Sequence, residues 1–172
     1  MLDAYRLQYG FRGAYVLPVN LYGPRDNFDL QTSHVIPALI RKIDAAQKAG
    51  QDEVVLWGDG SPTREFLYVE DAAEAIVLAA ERYELSEPMN LGSGMEISIA
   101  ELARLIGKLM GYGGRFTFDT SRPNGQPRRA LDVSRAAQHL CWQARTSLQE
   151  GLLRTIDWWR GAADAKELQN GR

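Results

Sequence analysis

Cysteine is nearly absent from this chain, since Cys141 is the only one among 172 residues. A single thiol excludes an internal disulfide and any metal site built from several cysteines. We expect Cys141, beside Trp142, to be a small core residue. Long apolar runs are missing too: none approaches the ~20 residues of a membrane-spanning helix, and no signal segment opens the chain. These absences predict a cytoplasmic protein with no metal and no membrane partner.

A strong excess of charge of one sign is also missing. The 20 Lys and Arg residues are balanced by 22 Asp and Glu residues, which leaves a net charge of -2. Without a basic field, nucleic acid is not expected as a partner. The length suits one domain or slightly more.

What the chain does contain is an alternation of short apolar strands and amphipathic helices. The run at 14–19 is nearly all apolar, as in a parallel strand covered on both faces. The predicted strands cover residues 14–19, 53–57, 64–69, 89–91 and 115–118. Capping-box pairs open three of the predicted helices: Asp71 with Glu74, Ser98 with Glu101, and Ser147 with Glu150. This alternation predicts an α/β fold.

One connection in the chain is unusually polar. It carries Asp26, Asn27 and Asp29 after a tight turn at 22–24, and it leads into a helix that we expect Ser33 to cap. Loops of this composition often hold binding or catalytic residues, because they are presented by a rigid scaffold. The alternative interpretation is a solvated surface loop.

His34 lies directly at the expected start of that helix. The positive end of the helix dipole disfavours an imidazolium there, and a neutral imidazole can act as a general acid or base. The alternative is a surface or capping histidine. The second histidine, His139, is expected to pack beside Leu140.

Basic residues recur on several separate segments of the chain. Arg41 and Lys42 follow the polar loop, Arg64 begins a short strand, and Arg128 and Arg129 end a Pro- and Gly-rich loop. The planar fork of arginine suits the oxygens of a diphosphate, and several loops can converge on one anion. The alternative is that these side chains are solvated or paired with carboxylates.

The Gly92–Gly94 turn stands between a strand and a helix, which is the setting of a dinucleotide fingerprint. The fingerprint needs a third small residue, and here that place is taken by Ile97. We interpret the segment as a plain turn. The 172 residues therefore contain no complete loop for the phosphates of a cofactor.

Three segments carry a resemblance to a known family. They are 20–42 (NLYGPRDNFDLQTSHVIPALIRK), 57–66 (WGDGSPTREF) and 127–129 (PRR). With them the chain, from about Tyr5 to Trp159, resembles the GDP-L-fucose synthase family of extended short-chain dehydrogenase/reductases, within the NAD-dependent epimerase/dehydratases. The resemblance implies the C-terminal part of a Rossmann-type parallel sheet plus a small α/β substrate-binding domain. The implied Rossmann remnants are 1–30 and about 65–92, the substrate-binding domain is about 31–64 and 93–160, and 161–172 is a frayed tail.

In that family the enzyme uses NADP(H), epimerises the carbons flanking the ketone of a GDP-4-keto-6-deoxy sugar, and then reduces the ketone. His34 matches the family's acid/base histidine. The implied substrate-binding residues are Asn20, Val35, Leu39, Lys42, Trp57, Arg64, Asn124 and Arg129. The implied cofactor contacts are Pro18, Val19, Asn20, Leu21 and His34. At the positions of Lys42 and Arg129 the family has the other basic residue type, and at the position of Asn124 it often has Asp.

The family's Gly-rich loop, catalytic Ser, Tyr-x-x-x-Lys pair and second epimerisation residue have no counterpart in the sequence. We therefore expect the C-terminal half of such an enzyme, inactive alone, whose full-length form is a homodimer that binds NADP mainly through the absent half. Two alternatives are a free-standing module that binds a nucleotide sugar without turnover and an inert structural remnant.

Overall fold

The computed structural model describes the backbone of residues 1–170 and the side chains of residues 1–162. The chain divides into two compact units. Unit 1 comprises Met1–Leu21, Glu65–Glu96 and Ala130–Thr146, and unit 2 comprises Tyr22–Arg64, Ile97–Arg129 and Ser147–Arg172. The α/β class expected from the sequence is confirmed, with parallel strand pairs in both units.

Three strands contain the points at which the chain passes from one unit to the other. They are β2 (Asn20–Tyr22), β4 (Thr63–Tyr68) and β6 (Glu96–Ser98), and their order in the sheet is β2-β4-β6.

Unit 1 is built on a short parallel pair of strands. Its remaining elements are α1 (Leu2–Tyr9), β1 (Val16–Pro18), α3 (Val69–Arg82), β5 (Met89–Leu91) and α5 (Ser134–Leu140). The pair runs from Val16 beside Met89 to Pro18 beside Leu91. Helix α3 buries a row of alanines against the core. Because these side chains are small, the helix lies close to the strands. The buried apolar cluster also includes Leu67, Met89, Leu91, Leu140 and Trp142.

Unit 2 packs three helices around a second parallel pair. Its elements are α2 (Val35–Lys48), β3 (Glu53–Trp57), α4 (Ile99–Met110), β7 (Arg115–Asp119), β8 (Arg128–Arg129) and α6 (Leu148–Asn170). The strands β3 and β7 are in register from Glu53 beside Arg115 to Trp57 beside Asp119. Helix α4 lies against α2 and α6 and buries Leu102 and Ile106.

The predicted helix starts are correct for α4 and wrong for α2 and α3. The capping box of Ser98 and Glu101 is present in full. The N-cap of α2 is His34 rather than Ser33, one residue later than expected. Helix α3 begins at Val69, and the Asp71 carboxylate accepts hydrogen bonds from the backbone of Arg145 and Thr146 instead of capping the helix.

One further expectation differs from the structure. The run at 14–19 was expected to be a strand covered on both faces, but Leu17 and Pro18 of β1 are exposed. Among the described residues, β5 is the only strand paired with β1, so the other edge of this short pair has no neighbouring strand. The implied division into Rossmann remnants at 1–30 and about 65–92, a substrate-binding domain at about 31–64 and 93–160, and a frayed tail at 161–172 stays a prediction. Residues 171–172 of that tail lie outside the described residues. In the described part of the chain, no helix has both the length and the apolar character to cross a membrane.

Candidate functional site

An exposed aromatic side chain marks the carboxyl end of the β3–β7 pair in unit 2. Trp57, the last residue of β3, is 67% exposed. The Arg122 guanidinium lies over its ring, 5.3 Å from the centroid, in a cation–π contact. Arg122 also faces the Asp119 carboxylate at 3.7 Å. Hydrogen bonds from the Ser121 hydroxyl and backbone N–H keep the pKa of Asp119 below its ordinary value. The result is an exposed aromatic ring with a cation held over one face.

The turn after Trp57 is fixed against the loop that follows β7. The Asn124 amide oxygen accepts a hydrogen bond from the Asp59 backbone N–H at 2.7 Å. Gly58 has a φ of 80°, and a Cβ added there would overlap the Asn124 side chain, so this close approach requires glycine. The Ser61 hydroxyl and N–H lower the pKa of Asp59, and Asn124 adds to that shift.

Two arginines lie side by side where β4 and β8 pair. Arg64 is in register with Arg129, and the Thr63 N–H donates to the Pro127 carbonyl at 2.9 Å. The Arg64 guanidinium donates to the Thr63 carbonyl at 2.7 Å, and one of its nitrogens lies 3.8 Å from the Cβ position of Gly125. Within residues 1–162, neither arginine forms an ion pair. The loop from β7 to β8 thus brings together four of the residues implied as substrate contacts: Trp57, Arg64, Asn124 and Arg129.

The other implied residues of unit 2 lie along α2. His34 is exposed and takes an extended conformation before the helix, and its carbonyl accepts from Ala38 at 3.0 Å. Val35, Leu39 and Lys42 follow at helical spacing on one face. Val35 and Lys42 are half-buried, whereas Leu39 is only 2% exposed and belongs to the core, which leaves little of it for a ligand.

The polar loop before His34 satisfies much of its own hydrogen bonding. The Asn27 side chain binds the Asp29 N–H and the Thr32 hydroxyl. Hydrogen bonding from the Gln31 N–H lowers the pKa of Asp29. These internal bonds account for part of the polar composition without a ligand.

An aromatic anchor holds the same loop in place. The Phe28 ring stacks on Trp158 and Trp159, with centroids 5.7 and 4.5 Å apart. Arg41 donates to the Phe28 carbonyl at 2.8 Å. Arg41 is therefore a residue that fixes the loop.

In unit 1 the implied cofactor contacts run from the end of β1 into β2. Pro18 is exposed, Val19 is buried, and Leu21 is half-buried. The Val19 N–H donates to the Leu91 carbonyl at 2.9 Å. The Asn20 amide donates to the Glu65 carbonyl at 2.9 Å, which fixes its side chain.

Glu65 is a residue that the sequence reasoning missed. Its carboxylate is 1% exposed and accepts N–H bonds from Gly94 at 2.7 Å and from Leu131 at 3.0 Å. A Cβ added at Gly92 would overlap this carboxylate. The only signal in the sequence is an acidic residue directly before the apolar residues of the strand.

The same contacts decide whether the Gly92–Gly94 turn fits the pyrophosphate of a dinucleotide. A phosphate cradle needs free backbone N–H groups and no competing negative charge. The Gly94 N–H is already donated to Glu65, and the buried carboxylate lies against Gly92. The turn does not fit a pyrophosphate, so the cofactor contacts implied for this chain are those at 18–21 and at His34.

Two residues near the end of α5 were assigned from the sequence to packing roles. The His139 ring lies 5.6 Å from that of Tyr83, in an edge contact. The assignment of Cys141 to the core is wrong, because its side chain is exposed. Cys141 ends α5 with a positive φ of 51°, and this geometry turns the chain so that Trp142 is buried in its place.

Comparison with known proteins gives a consistent picture. A model of the NAD dependent epimerase/dehydratase family matches residues 1–92. The probable GDP-L-fucose synthase 1 of Oryza sativa subsp. japonica is 45% identical over 159 residues, which cover 92% of this chain and 48% of that protein. A crystal structure of a GDP-L-fucose synthetase from Naegleria fowleri is similar with a TM-score of 0.84 and 29% identity, over 94% of this chain and 50% of that one. A structure of a GDP-L-fucose synthetase from Naegleria fowleri bound to NADP has a TM-score of 0.81 and 30% identity, over 88% and 47%. The chain spans about half the length of the curated relatives it matches.

Proposed function

This chain belongs to the NAD dependent epimerase/dehydratase family, and from that premise we propose that it is the GDP-sugar-binding half of an NADP-dependent nucleotide-sugar epimerase/reductase similar to GDP-L-fucose synthase. The names of its relatives support the activity. The observation that carries the substrate class is the gathering of Trp57, Arg64, Asn124 and Arg129 around one loop in unit 2.

The paired arginines favour a diphosphate as the anchoring group. Arg64 and Arg129 occupy neighbouring positions on hydrogen-bonded strands, and like charges so placed repel each other. A diphosphate would neutralise both, and each guanidinium can present two donors to its oxygens. Trp57 offers a flat ring against which a base or a sugar can stack. The Arg122 guanidinium over that ring would either stay in contact with it or move away when the ligand binds.

His34 is the proposed acid/base of the epimerisation. Its side chain is exposed, and the imidazole forms no hydrogen bond within residues 1–162. It would carry a proton to or from the carbon beside the sugar ketone. NADP(H), when bound, supplies the hydride for reduction, and the segment 18–21 is proposed to contact its nicotinamide side. Asn20 is held ready for such a contact by its bond to the Glu65 carbonyl.

We propose that the chain alone does not reduce a keto sugar. Reduction needs a seated nicotinamide and an acid for the alkoxide. No Tyr-x-x-x-Lys occurs in the sequence, and the Gly92–Gly94 turn does not fit a pyrophosphate. NADPH absorbance should therefore stay constant when the chain is mixed with NADPH and GDP-4-keto-6-deoxymannose; steady oxidation would contradict the proposal. The homodimeric state of the full-length enzyme and its cytoplasmic location remain predictions.

Calorimetric titration with GDP tests the substrate class. We expect a saturable heat that weakens at least tenfold in Arg64→Gln and in Arg129→Gln, because each variant removes a charge-assisted contact. Arg82→Gln, which removes the same charge from unit 1, is the matched control and should bind like the parent chain. A parallel titration with UDP tests the base. Absence of saturable heat with both nucleotides would refute the proposed function.

A further inference from the structure

A second cleft in unit 2 lies apart from the site described above. It has a volume of about 550 Å³ and runs between α4 and the start of β7. Three basic side chains line it, Arg104, Lys108 and Arg115, together with the rings of Tyr112 and Phe116. No acidic residue is among the lining residues, although the whole chain is slightly acidic.

The strand register places this cleft at the opposite end of the β3–β7 pair. Arg115 pairs with Glu53 where both strands begin, and Asp119 pairs with Trp57 where both strands end. Four residues of extended chain separate the two ends, a distance of about 13 Å. A ligand in the cleft would therefore not occupy the position beside Trp57.

Close packing fixes the aromatic floor of the cleft. The Tyr112 hydroxyl donates to the Gln51 carbonyl at 3.2 Å, and its ring makes an edge contact with Phe116 at 5.8 Å. A Cβ added at Gly107 would lie 2.8 Å from the Phe116 ring, so glycine lets that ring lie against α4. The floor is thus formed before any ligand arrives, which lowers the entropic cost of binding.

The charges around the cleft leave two cations without a carboxylate partner. Arg104 and Lys108 lie one turn apart on the same face of α4, a spacing at which like charges repel. Neither forms an ion pair within residues 1–162. Arg115 is bound to Glu53 at 3.1 Å, and Asp52 lies near enough to act on Tyr112. On the α4 side, Glu101 acts on Arg104 but is held by the Ser98 hydroxyl at 2.6 Å.

We propose that this cleft is a second ligand site, which binds the phosphate groups of a small phosphorylated molecule between Arg104 and Lys108. The Arg115 guanidinium, oriented by Glu53, presents its remaining N–H groups to the same anion. A flat group on the ligand would rest against Tyr112 and Phe116.

Titration with inorganic tripolyphosphate, followed by backbone amide shifts in NMR, tests the anion site. We expect saturable shifts at 104–108 and 112–116, and about tenfold weaker binding in Arg104→Gln and in Lys108→Gln. Glutamine has nearly the same helix propensity as these residues, so the variants should fold. Arg82→Gln is again the matched control. Higher salt should weaken the binding. A second titration with ATP tests whether the rings of Tyr112 and Phe116 bind a flat group. ATP should bind more tightly than tripolyphosphate, because its base can rest on these rings.

Three outcomes would overturn the proposal. One is the absence of saturable shifts with tripolyphosphate. Another is equal affinity in the parent chain and the Arg104→Gln/Lys108→Gln double variant. The third is that tripolyphosphate binding is lost in Arg64→Gln but kept in the Arg104→Gln/Lys108→Gln double variant. The anion would then occupy the proposed substrate site. Failure of the GDP titration alone would leave this site standing, since it depends on different residues.

Discussion

The buried carboxylates of unit 1 and three of the cations of unit 2 differ in how far the protein supplies their partners. In unit 1 the carboxylates of Glu65 and Asp71 are buried, and backbone N–H groups from distant segments bind both of them. In unit 2 the cations Lys42, Arg64 and Arg129 form no ion pair within residues 1–162. A buried charge with all its partners supplied by the protein holds the fold together. A charge left without a partner near the surface is available for a ligand, and on this ground Lys42, Arg64 and Arg129 are proposed as binding residues.

The largest expected effect comes from removing the buried charge of unit 1. Glu65→Ala removes a buried carboxylate and leaves the N–H groups of Gly94 and Leu131 without the acceptor they have in the parent chain. We expect it to lower the free energy of unfolding by about 3 kcal/mol, measured by urea denaturation. Arg129→Gln, the matched change in unit 2, should stay within about 0.5 kcal/mol of the parent chain. A loss of equal size in both variants would remove the distinction between the units.

A smaller effect should follow from crowding the same carboxylate. Gly92→Ala places a methyl group where the Glu65 side chain lies, and overpacking of this kind costs about 2 kcal/mol. In the Glu65→Ala/Gly92→Ala double variant the overlap disappears, so the two losses should not add. Simple additivity of the unfolding free energies would show that the two residues do not touch.

Acidic pH should affect the loops around the proposed substrate site in unit 2. Hydrogen bonds from Ser61 and Ser121 lower the pKa values of Asp59 and Asp119 in the folded chain. A lowered folded pKa contributes stability that is present above the ordinary value near 4 and is lost as the pH falls through the lowered value. NMR titration of the carboxyl carbons should give midpoints below 3.8, the ordinary value for aspartate. Midpoints at or above that value would mean that these turns are not formed in solution.

The smallest expected effect is a gain in stability at Cys141. A residue with a Cβ pays a steric cost at positive φ, which glycine avoids. Glycine at this position removes the steric cost but loses more backbone entropy on folding. We expect the net effect of Cys141→Gly to be a rise of about 0.5 kcal/mol in the free energy of unfolding. Cys141→Ser keeps the Cβ and should leave the thermal midpoint unchanged. If the serine variant gives the same gain, the thiol and not the backbone is responsible.

Local patterns in the sequence predicted much of the fold. The apolar stripe of α2, the strand at Glu53–Trp57 and the capping box of α4 depend on neighbours within a few residues, so they can be read directly. The error at Asp71 involves distant partners. From its local sequence Asp71 looked like a helix cap. Its carboxylate instead accepts hydrogen bonds from the N–H groups of Arg145 and Thr146, which lie more than 70 residues away.

The candidate site was predicted in the same uneven way. The residues of unit 2 were named from a resemblance, but their gathering depends on the parallel registers of β3 with β7 and of β4 with β8. Arg122 was missed because one more arginine in a basic loop has no distinguishing mark until Trp57 is seen beneath it. Glu65 was missed because its two N–H partners belong to the backbone, which the sequence does not distinguish.

Titration of GDP into the Arg64→Gln/Arg129→Gln double variant measures whether the paired arginines of unit 2 hold the nucleotide. We expect calorimetry to detect saturable GDP binding to the parent chain and none to the double variant, while urea denaturation gives both the same stability within about 0.5 kcal/mol. Undiminished GDP binding by a folded double variant would contradict this expectation, because the open charges of unit 2 would then have no role in holding the nucleotide.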